Sequence, residues 1–501
     1  MNLDITVAEL AAAVPQSRVI GDPSTVVRSL TYDSRTVTPG SCFAALRGAD
    51  VDGHAYLPQA ASAGALAVLT EKPSDLPVAQ IIVPDSRAAL AHLAHAFYRQ
   101  PSHEVGVIGI TGTDGKTTTS FLVDAILRRT GLRTGLIGTV TIRVGDEEDI
   151  HSTRQTTPES ADVQRLLRAM ADRDIPWATL EATSHGLAMH RLDDVRFRIG
   201  GVTNITSEHL DYHGTVENYR AAKGILFERV SAAGGTSVIN LDDAGARSMQ
   251  DRVSGGDVIT YSADEHRADL RATAVRSGGT GSTFRLETTN WGSAEVHLPM
   301  IGGFNVANAL CAAGITLAAG LSLDQVVGGL TAAPGVPGRM ALVDQGQPFT
   351  VVVDYAHTPE AMAKVLTLLR GLFPNGTIYT VFGSAGERDI QKRPLQGAVA
   401  VTLGDVAIVT SEDPRNEDAD AIIDAIARGA LDAGAEEGTT LHRRTQRRDA
   451  IDLAMDLAAP GDVILLAGKG HEGSIIWGRE KRPWNEEQVA RDLLSERGFT
   501  S

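Results

Sequence analysis

Residues 105–129 read VGVIGITGTDGKTTTSFLVDAILRR, and this stretch decides the fold. Val105 to Ile110 is an apolar run of buried-strand length, while Thr117 to Arg129 sets Phe121, Leu122, Ala125 and Ile126 on one helical face. Between them lies Gly112-Thr113-Asp114-Gly115-Lys116-Thr117-Thr118. Where a strand hands over to a helix in this way, glycines allow close backbone approach and the helix N-terminus offers free N–H groups to phosphate oxygens. Lys116 adds a point charge. Thr117 supplies a hydroxyl suited to Mg²⁺, which binds through few protein oxygens together with phosphates and water. The strict spacing of the common phosphate loop is not met, because position 110 is Ile, so the loop is a shortened relative of it. A nucleotide site follows; NTPase, kinase and ligase all remain open.

Working outward, Trp177 to Leu180 and Ile199 to Ile205 read as further buried strands, which makes the region an α/β layer structure. Before it, Ile81 to Val83 reads as a strand and the Ala-rich Arg87 to Arg99 as a helix, broken by Gln100-Pro101-Ser102. After it, Pro334-Gly335-Val336-Pro337-Gly338 disfavours both regular elements and marks a second boundary. Beyond that, strands at Val351 to Val353, Ile378 to Phe382, Val406 to Thr410 and Val463 to Ala467 alternate with helical stretches such as Ala419 to Ala430, the pattern of a parallel sheet. The expectation is an α/β protein of three domains, at residues 1–101, 102–335 and 336–501. That division suits 501 residues at ~100–200 per domain.

Forty-six Lys plus Arg against 62 Asp plus Glu give a net charge of −16. This is the wrong sign for wrapping on nucleic acid, whose affinity comes from phosphate neutralisation. Cys42 and Cys311 cannot form a disulfide framework. The first residues are not basic and no run long enough to span a bilayer appears. A cytoplasmic protein without membrane insertion is expected.

Two further motifs, Glu181-Ala182-Thr183-Ser184-His185-Gly186-Leu187 and Thr203-Asn204-Ile205-Thr206-Ser207-Glu208-His209-Leu210-Asp211-Tyr212-His213-Gly214, accompany the loop. Tyr219-Arg220-Ala221-Ala222-Lys223, Phe304-Asn305-Val306-Ala307-Asn308, Pro337-Gly338-Arg339-Met340, Asp354-Tyr355-Ala356-His357-Thr358-Pro359 and Gly468-Lys469-Gly470-His471-Glu472 follow in order. On these motifs the chain resembles the Mur ligases, the ATP-dependent amide-forming enzymes of peptidoglycan synthesis, over almost its whole length. It is most similar to the branch that adds a diamino acid to UDP-N-acetylmuramoyl-L-alanyl-D-glutamate. The resemblance implies an N-terminal domain for the uridine nucleotide, a central phosphate-loop ATPase domain and a C-terminal Rossmann-like domain for the amino acid. It also implies a monomer serving cell-wall biogenesis, and with it cell shape and division.

The chemistry implied is activation of a carboxylate by ATP as an acyl phosphate, which concentrates negative charge and needs metal ions and cations around it. Thr117, Glu181 and His209 form a plausible Mg²⁺ set, although imidazole is an unusual Mg²⁺ ligand. Zinc is disfavoured at the neighbouring histidines for want of cysteine partners. The family implies that Lys223 reacts with CO₂ to give a carbamate beside the second metal. That step needs the neutral amine, whereas an unperturbed lysine titrates near ~10.4, so burial or nearby cations must favour deprotonation. Asn305 and Asn308 would meet the base of ATP, and Arg339, Asp354 and His357 would approach ATP from the third domain. Lys116, Lys223, His209 and Arg339 are thus the catalytic candidates.

For the nucleotide–peptide substrate, Tyr32, Ser34, Thr156, Thr157, Thr183, Ser184 and Arg191 occupy the family's motifs. Thr183 replaces a commoner Ser, and Met189 stands where diaminopimelate-adding enzymes often have Gln. Clusters at Asp354 to His357, Glu387 to Asp389, Glu412 to Arg415 and Lys469 to Glu472 follow strands. They should therefore converge beyond the carboxyl ends of a parallel sheet. There the resemblance implies that Arg388, Asp413, Pro414, Arg415, Gly468 and Glu472 face the diamino acid. Arg415 can grip a carboxylate through two hydrogen bonds and favours meso-2,6-diaminopimelate. Asp413, however, stands where that pattern usually has Asn, exchanging a donor for an acceptor, and keeps L-lysine or L-ornithine as the alternative. Folylpolyglutamate synthesis and a nucleotide-dependent regulatory module are the remoter readings.

Overall fold

The computed structural model describes residues 4–48, 51–149, 155–264 and 267–500. The chain gathers into two compact units, one of Met1–Thr273, Arg285–Ala294 and Ala307–Leu330, the other of Ala274–Phe284, Glu295–Val306 and Thr331–Ser501.

The first unit begins with a five-stranded sheet in the order Arg18–Ile20, Ala79–Ile82, Ala67–Thr70, Ser41–Ala44, Ser29–Thr31. The helix Ser86–Phe97 covers it, burying Ala89, Leu90, Leu93, Ala94 and Phe97 at helical spacing, while Asp85 caps its start by accepting from the Arg87 and Ala88 amides. The helix stops two residues before the expected Arg99. Arg99 and Gln100 adopt left-handed backbone (φ 58° and 53°), which ends the repeat ahead of Pro101.

The expected strand–loop–helix is present as Gly106–Thr111 followed by Lys116–Arg129. The strand is central, paired in parallel with Trp177–Glu181 on one side and Phe197–Val202 on the other. Thr134–Ile137, Thr236–Asn240 and Asp257–Ser262 extend the parallel sheet outward. The strand read from Ile199 to Ile205 instead runs Phe197–Val202. It ends early because its next residues bond elsewhere: Thr203 Oγ1 donates to the Asp114 carbonyl at 2.6 Å and the Ile205 amide to Asp243 at 2.8 Å. Carboxyl ends of neighbouring parallel strands thereby meet around the phosphate loop.

The second unit carries a sheet in the order Ala341–Val343, Thr350–Asp354, Val463–Ala467, Ile378–Phe382, Val406–Thr410, Leu441–Arg444, parallel except for its first pair. Val463–Ala467, last in sequence, inserts between the first two parallel strands, so the loops after Asp354, Phe382, Thr410 and Ala467 leave from one edge. No described helix is long and apolar enough to cross a membrane.

Candidate active site

Gly112 and Gly115 shape the phosphate loop, with φ of 153° and 83°. A Cβ at Gly112 would lie 1.9 Å from Thr203 Oγ1, and one at Gly115 would lie 2.3 Å from Asn308 Oδ1, so neither position admits a side chain as built. The Thr113 amide donates to the Asn204 carbonyl at 2.7 Å and the Asp114 amide to Asn204 Oδ1 at 3.0 Å. Lys116 folds back over the loop, donating to the Gly112 and Thr113 carbonyls at 2.9 and 2.8 Å.

Thr117 and Glu181, 64 residues apart in sequence, meet directly: Thr117 Oγ1 donates to Glu181 Oε2 at 3.0 Å. Glu181 is fully buried. Its other contacts come from Thr139, whose amide donates to Oε1 and whose hydroxyl donates to Oε2, both at 3.0 Å. Sequence reasoning missed Thr139. Its only signal is position, immediately beyond the strand Thr134–Ile137 that neighbours Trp177–Glu181 in the sheet. Thr156 joins the chain of hydroxyls, its Oγ1 lying 3.0 Å from Thr139 Oγ1.

Lys223 lies on the helix Val216–Ala232, yet it is 1% exposed. Its Nζ donates to the Gly112 carbonyl at 2.7 Å and stands 4.6 Å from the centre of the Tyr219 ring. Burial, and then the charge of Lys116, hold this amine well below its ordinary range, against the opposing pull of Glu208 and Asp114. Tyr219 OH in turn lies 3.0 Å from Thr113 Oγ1. His209, in left-handed backbone (φ 54°), is placed with other rings: 4.6 Å from His185 between centroids, and 3.7 Å from Glu208. His185 also packs on Tyr212 and His213, and burial, followed by His209 and His213, lowers its pKa. Among the described residues no three His, Cys, Asp or Glu side chains are gathered to hold a metal. The donor set beside the loop still fits Mg²⁺ in kind, since Thr117, Glu181 and Thr139 offer hard oxygens.

The Thr157 hydroxyl donates to the Glu181 carbonyl at 2.8 Å, accepts from the Thr183 amide at 3.2 Å and lies 2.8 Å from Thr183 Oγ1. Thr183 caps the short helix Ser184–Ala188 by accepting from the Gly186 amide, and Ser184 is buried at its start. Arg191 donates to the Thr157 carbonyl at 3.0 Å, contacts Met189 Sδ at 3.5 Å and pairs with Glu159 at 3.2 Å. Thr156, Thr157, Thr183, Ser184 and Arg191 therefore share one neighbourhood with Glu181. Tyr32 is tied to Asp162 at 2.6 Å, and Ser34 opens a one-turn helix capped by Asp33. On the helix Gly303–Ala318, Asn308 sits against Gly115, whereas the Asn305 amide group donates to the Ile301 carbonyl at 2.8 Å.

Within the second unit, the Arg339 guanidinium carbon stands 5.3 Å from the Tyr355 ring centre. Asp354 accepts from the Met340 and Ala356 amides at 2.8 and 2.9 Å, and burial raises its carboxyl. Tyr355 packs between His357 and His471, at 4.7 and 5.0 Å between ring centres. Asp413, Lys469 and Glu472 converge, with Lys469 Nζ 2.9 Å from Asp413 and 2.5 Å from Glu472. Pro414 is buried against Gly386, and Gly468 (φ 100°) lies beside Glu412. Arg415 is partly buried, whereas Arg388 is exposed.

A glycine-shaped phosphate loop backed by a buried carboxylate and a buried lysine defines a nucleotide-dependent enzyme. Three family models match the chain in succession: the Mur ligase family, catalytic domain, at residues 26–98; the Mur ligase middle domain at 110–316; and the Mur ligase, glutamate ligase domain at 338–470. A UDP-N-acetylmuramyl-tripeptide synthetase of Roseiflexus sp. is 46% identical over 94% of this chain and 95% of its own. A UDP-N-acetylmuramoyl-L-alanyl-D-glutamate–2,6-diaminopimelate ligase of Geobacillus kaustophilus is 41% identical over 95% and 96%. The solved structure of a ligase with the latter name superposes with a TM-score of 0.71, at 29% identity, over 99% of this chain and 100% of its own. The chain belongs to the Mur ligase family, and it is an ATP-dependent ligase that forms amide bonds.

Proposed function

We propose that the chain joins a diamino acid to the D-glutamyl γ-carboxylate of UDP-N-acetylmuramoyl-L-alanyl-D-glutamate, cleaving ATP to ADP and phosphate in peptidoglycan precursor synthesis. The diamino acid is diaminopimelate, in its meso form; several relatives 37–41% identical to the chain carry 2,6-diaminopimelate in their names. The observation that carries the reading is the buried Lys223 amine, 2.7 Å from the phosphate-loop carbonyl of Gly112. A regulatory nucleotide switch has no use for a lysine buried at that point, with its pKa lowered. An amide ligase does, because the neutral amine can add CO₂, lose a proton and become a carboxylate-bearing side chain.

In this reading the Gly112–Thr118 backbone and Lys116 hold the phosphates of ATP, and Asn305, Asn308, Arg339, Asp354 and His357 serve the nucleotide. Thr117, Glu181, the Lys223 carbamate and His209 hold Mg²⁺, which when bound supplies charge neutralisation between the γ-phosphate and the substrate carboxylate. Tyr32, Ser34, Thr156, Thr157, Thr183, Ser184 and Arg191 bind and orient the nucleotide–peptide. Arg388, Asp413, Pro414, Arg415, Gly468 and Glu472 receive the diamino acid. The three functions fall to residues 1–101, 102–335 and 336–501, and the enzyme works as a cytoplasmic monomer.

The test is product formation with Mg²⁺, ATP and UDP-N-acetylmuramoyl-L-alanyl-D-glutamate, offered diaminopimelate, lysine or ornithine in turn. Equal amounts of tripeptide nucleotide and phosphate are expected, with ¹⁸O passing from the labelled D-glutamyl γ-carboxylate into phosphate. No tripeptide with any of the three overturns the assignment.

A further inference from the structure

Asp413 enters the amino-acid loops as an added negative charge where an amide would be neutral, and the fold has already matched it. Asp413 Oδ1 accepts from Lys469 Nζ and from the Ile476 amide, each at 2.9 Å. Lys469 is wholly buried and shared with Glu472. The strand Ser474–Trp477 and the residue after it also hold Arg415, two residues beyond Asp413: the Arg415 amide donates to the Ile476 carbonyl at 3.0 Å and the Gly478 amide to the Arg415 carbonyl at 2.7 Å. Arg415 stands in left-handed backbone (φ 54°), and its Nε is buried without a hydrogen-bond partner. Asp413 is thus engaged by Lys469, while Arg415 Nε has no hydrogen-bond partner.

We propose that Lys469 is a positioning residue for substrate choice: by engaging Asp413 it keeps the Arg415 guanidinium available to a carboxylate of the diamino acid. This rests on the ligase reading above. Lys469 is shared by Asp413 and Glu472, which leaves Arg415 as the cation of this loop to meet a carboxylate on an amino-acid end that carries both ammonium and carboxylate. The far end of lysine or ornithine has the ammonium alone and leaves the partly buried Arg415 unmatched, which is unfavourable. The departure from Asn at position 413 therefore preserves selection for diaminopimelate, because Lys469 cancels the charge it adds.

Rescue by a second substitution tests the idea. Lys469→Met frees Asp413 to capture Arg415, so KM for diaminopimelate should rise by about tenfold or more with kcat less affected, as expected when one partner of a buried pair is removed. The double variant Asp413→Asn/Lys469→Met removes the carboxylate two residues from Arg415 and should reverse most of the KM rise of Lys469→Met. Equal impairment of the single and double variants, or an unchanged KM in Lys469→Met, overturns the inference. Should Lys469→Met fail to fold, as read by circular dichroism, the double variant decides alone: folded protein that no longer prefers diaminopimelate to lysine refutes the role. Wild-type protein that prefers lysine also refutes it, while wild-type protein inactive with every diamino acid refutes the underlying reading instead.

Discussion

Lys223 Nζ lies 2.7 Å from the Gly112 carbonyl oxygen, linking the middle of a long helix to the first glycine of the phosphate loop. Burial and then Lys116 disfavour the charged form of the amine and lower its pKa well below the ordinary lysine range. A lowered amine pKa means that the unfolded chain binds more protons than the native one between the folded and unfolded values, so stability rises with pH across that window. Lys223→Met should remove activity yet raise the melting temperature at pH 7, by roughly 1–3 kcal/mol in stability. The difference between variant and wild type should narrow toward pH 10. Calorimetry at several pH values checks this, and a gap independent of pH would show that the lysine is not neutral in the fold. In a Lys223→Ala variant, a short added carboxylate should restore part of the turnover.

Thr139 supplies two of the three hydrogen bonds that fix the Glu181 carboxylate, one from its backbone and one from its hydroxyl. Thr139→Val keeps the shape and the amide bond but removes the hydroxyl. The expected cost is about 1–2 kcal/mol in stability, together with a higher Mg²⁺ concentration for half-maximal ATP turnover. Titrating Mg²⁺ at saturating ATP separates the two effects: lowered stability with an unchanged Mg²⁺ requirement would make Thr139 a packing residue only.

Gly115 and Asn308 test the shape of the loop. An Ala at position 115 must adopt φ near 83° and would set its Cβ 2.3 Å from Asn308 Oδ1. Gly115→Ala should raise KM for ATP at least about tenfold, the effect of a displaced phosphate-binding backbone, with little loss of helical circular dichroism. Adding Asn308→Ala should relieve the steric part and leave the backbone strain. If the single and double variants bind ATP equally well, the contact with Asn308 carries none of the cost.

What was legible in the sequence was local. The strand, loop and helix from Gly106 to Arg129 are contiguous, so periodicity and glycine placement reveal them. Glu181 was legible because it ends a recognisable apolar strand, and Thr117 because it follows Lys116. Thr139 was not, because a lone threonine after a glycine carries no periodic signal; only the sheet order brings it to Glu181. Asp413 and Lys469 are 56 residues apart, and the charge of Asp413 reads as unmatched until the fold pairs them. The overshoot of the strand beyond Val202 has the same origin: Thr203 and Ile205 look like strand residues but spend their polar groups on Asp114 and Asp243.

Arg447 and Glu486 have fully buried side chains that pair at 2.6 Å, in a unit where composition alone would have left both at the surface. Arg447 also donates to the Ala467 carbonyl at 2.8 Å, at the end of the inserted strand Val463–Ala467, and Trp484 Nε1 donates to Glu486. The pair therefore ties the helix Arg447–Leu457 and the start of the last helix, Glu486–Glu496, to the strand that precedes the Gly468–Glu472 loop. Breaking a buried pair leaves one charge uncompensated, so Arg447→Met should cost roughly 3–5 kcal/mol, whereas Arg447→Met/Glu486→Gln should cost distinctly less. Urea unfolding of the two variants measures the difference. A double variant as unstable as the single one would mean that the Arg447 bond to Ala467, and not the ion pair, holds this corner of the sheet.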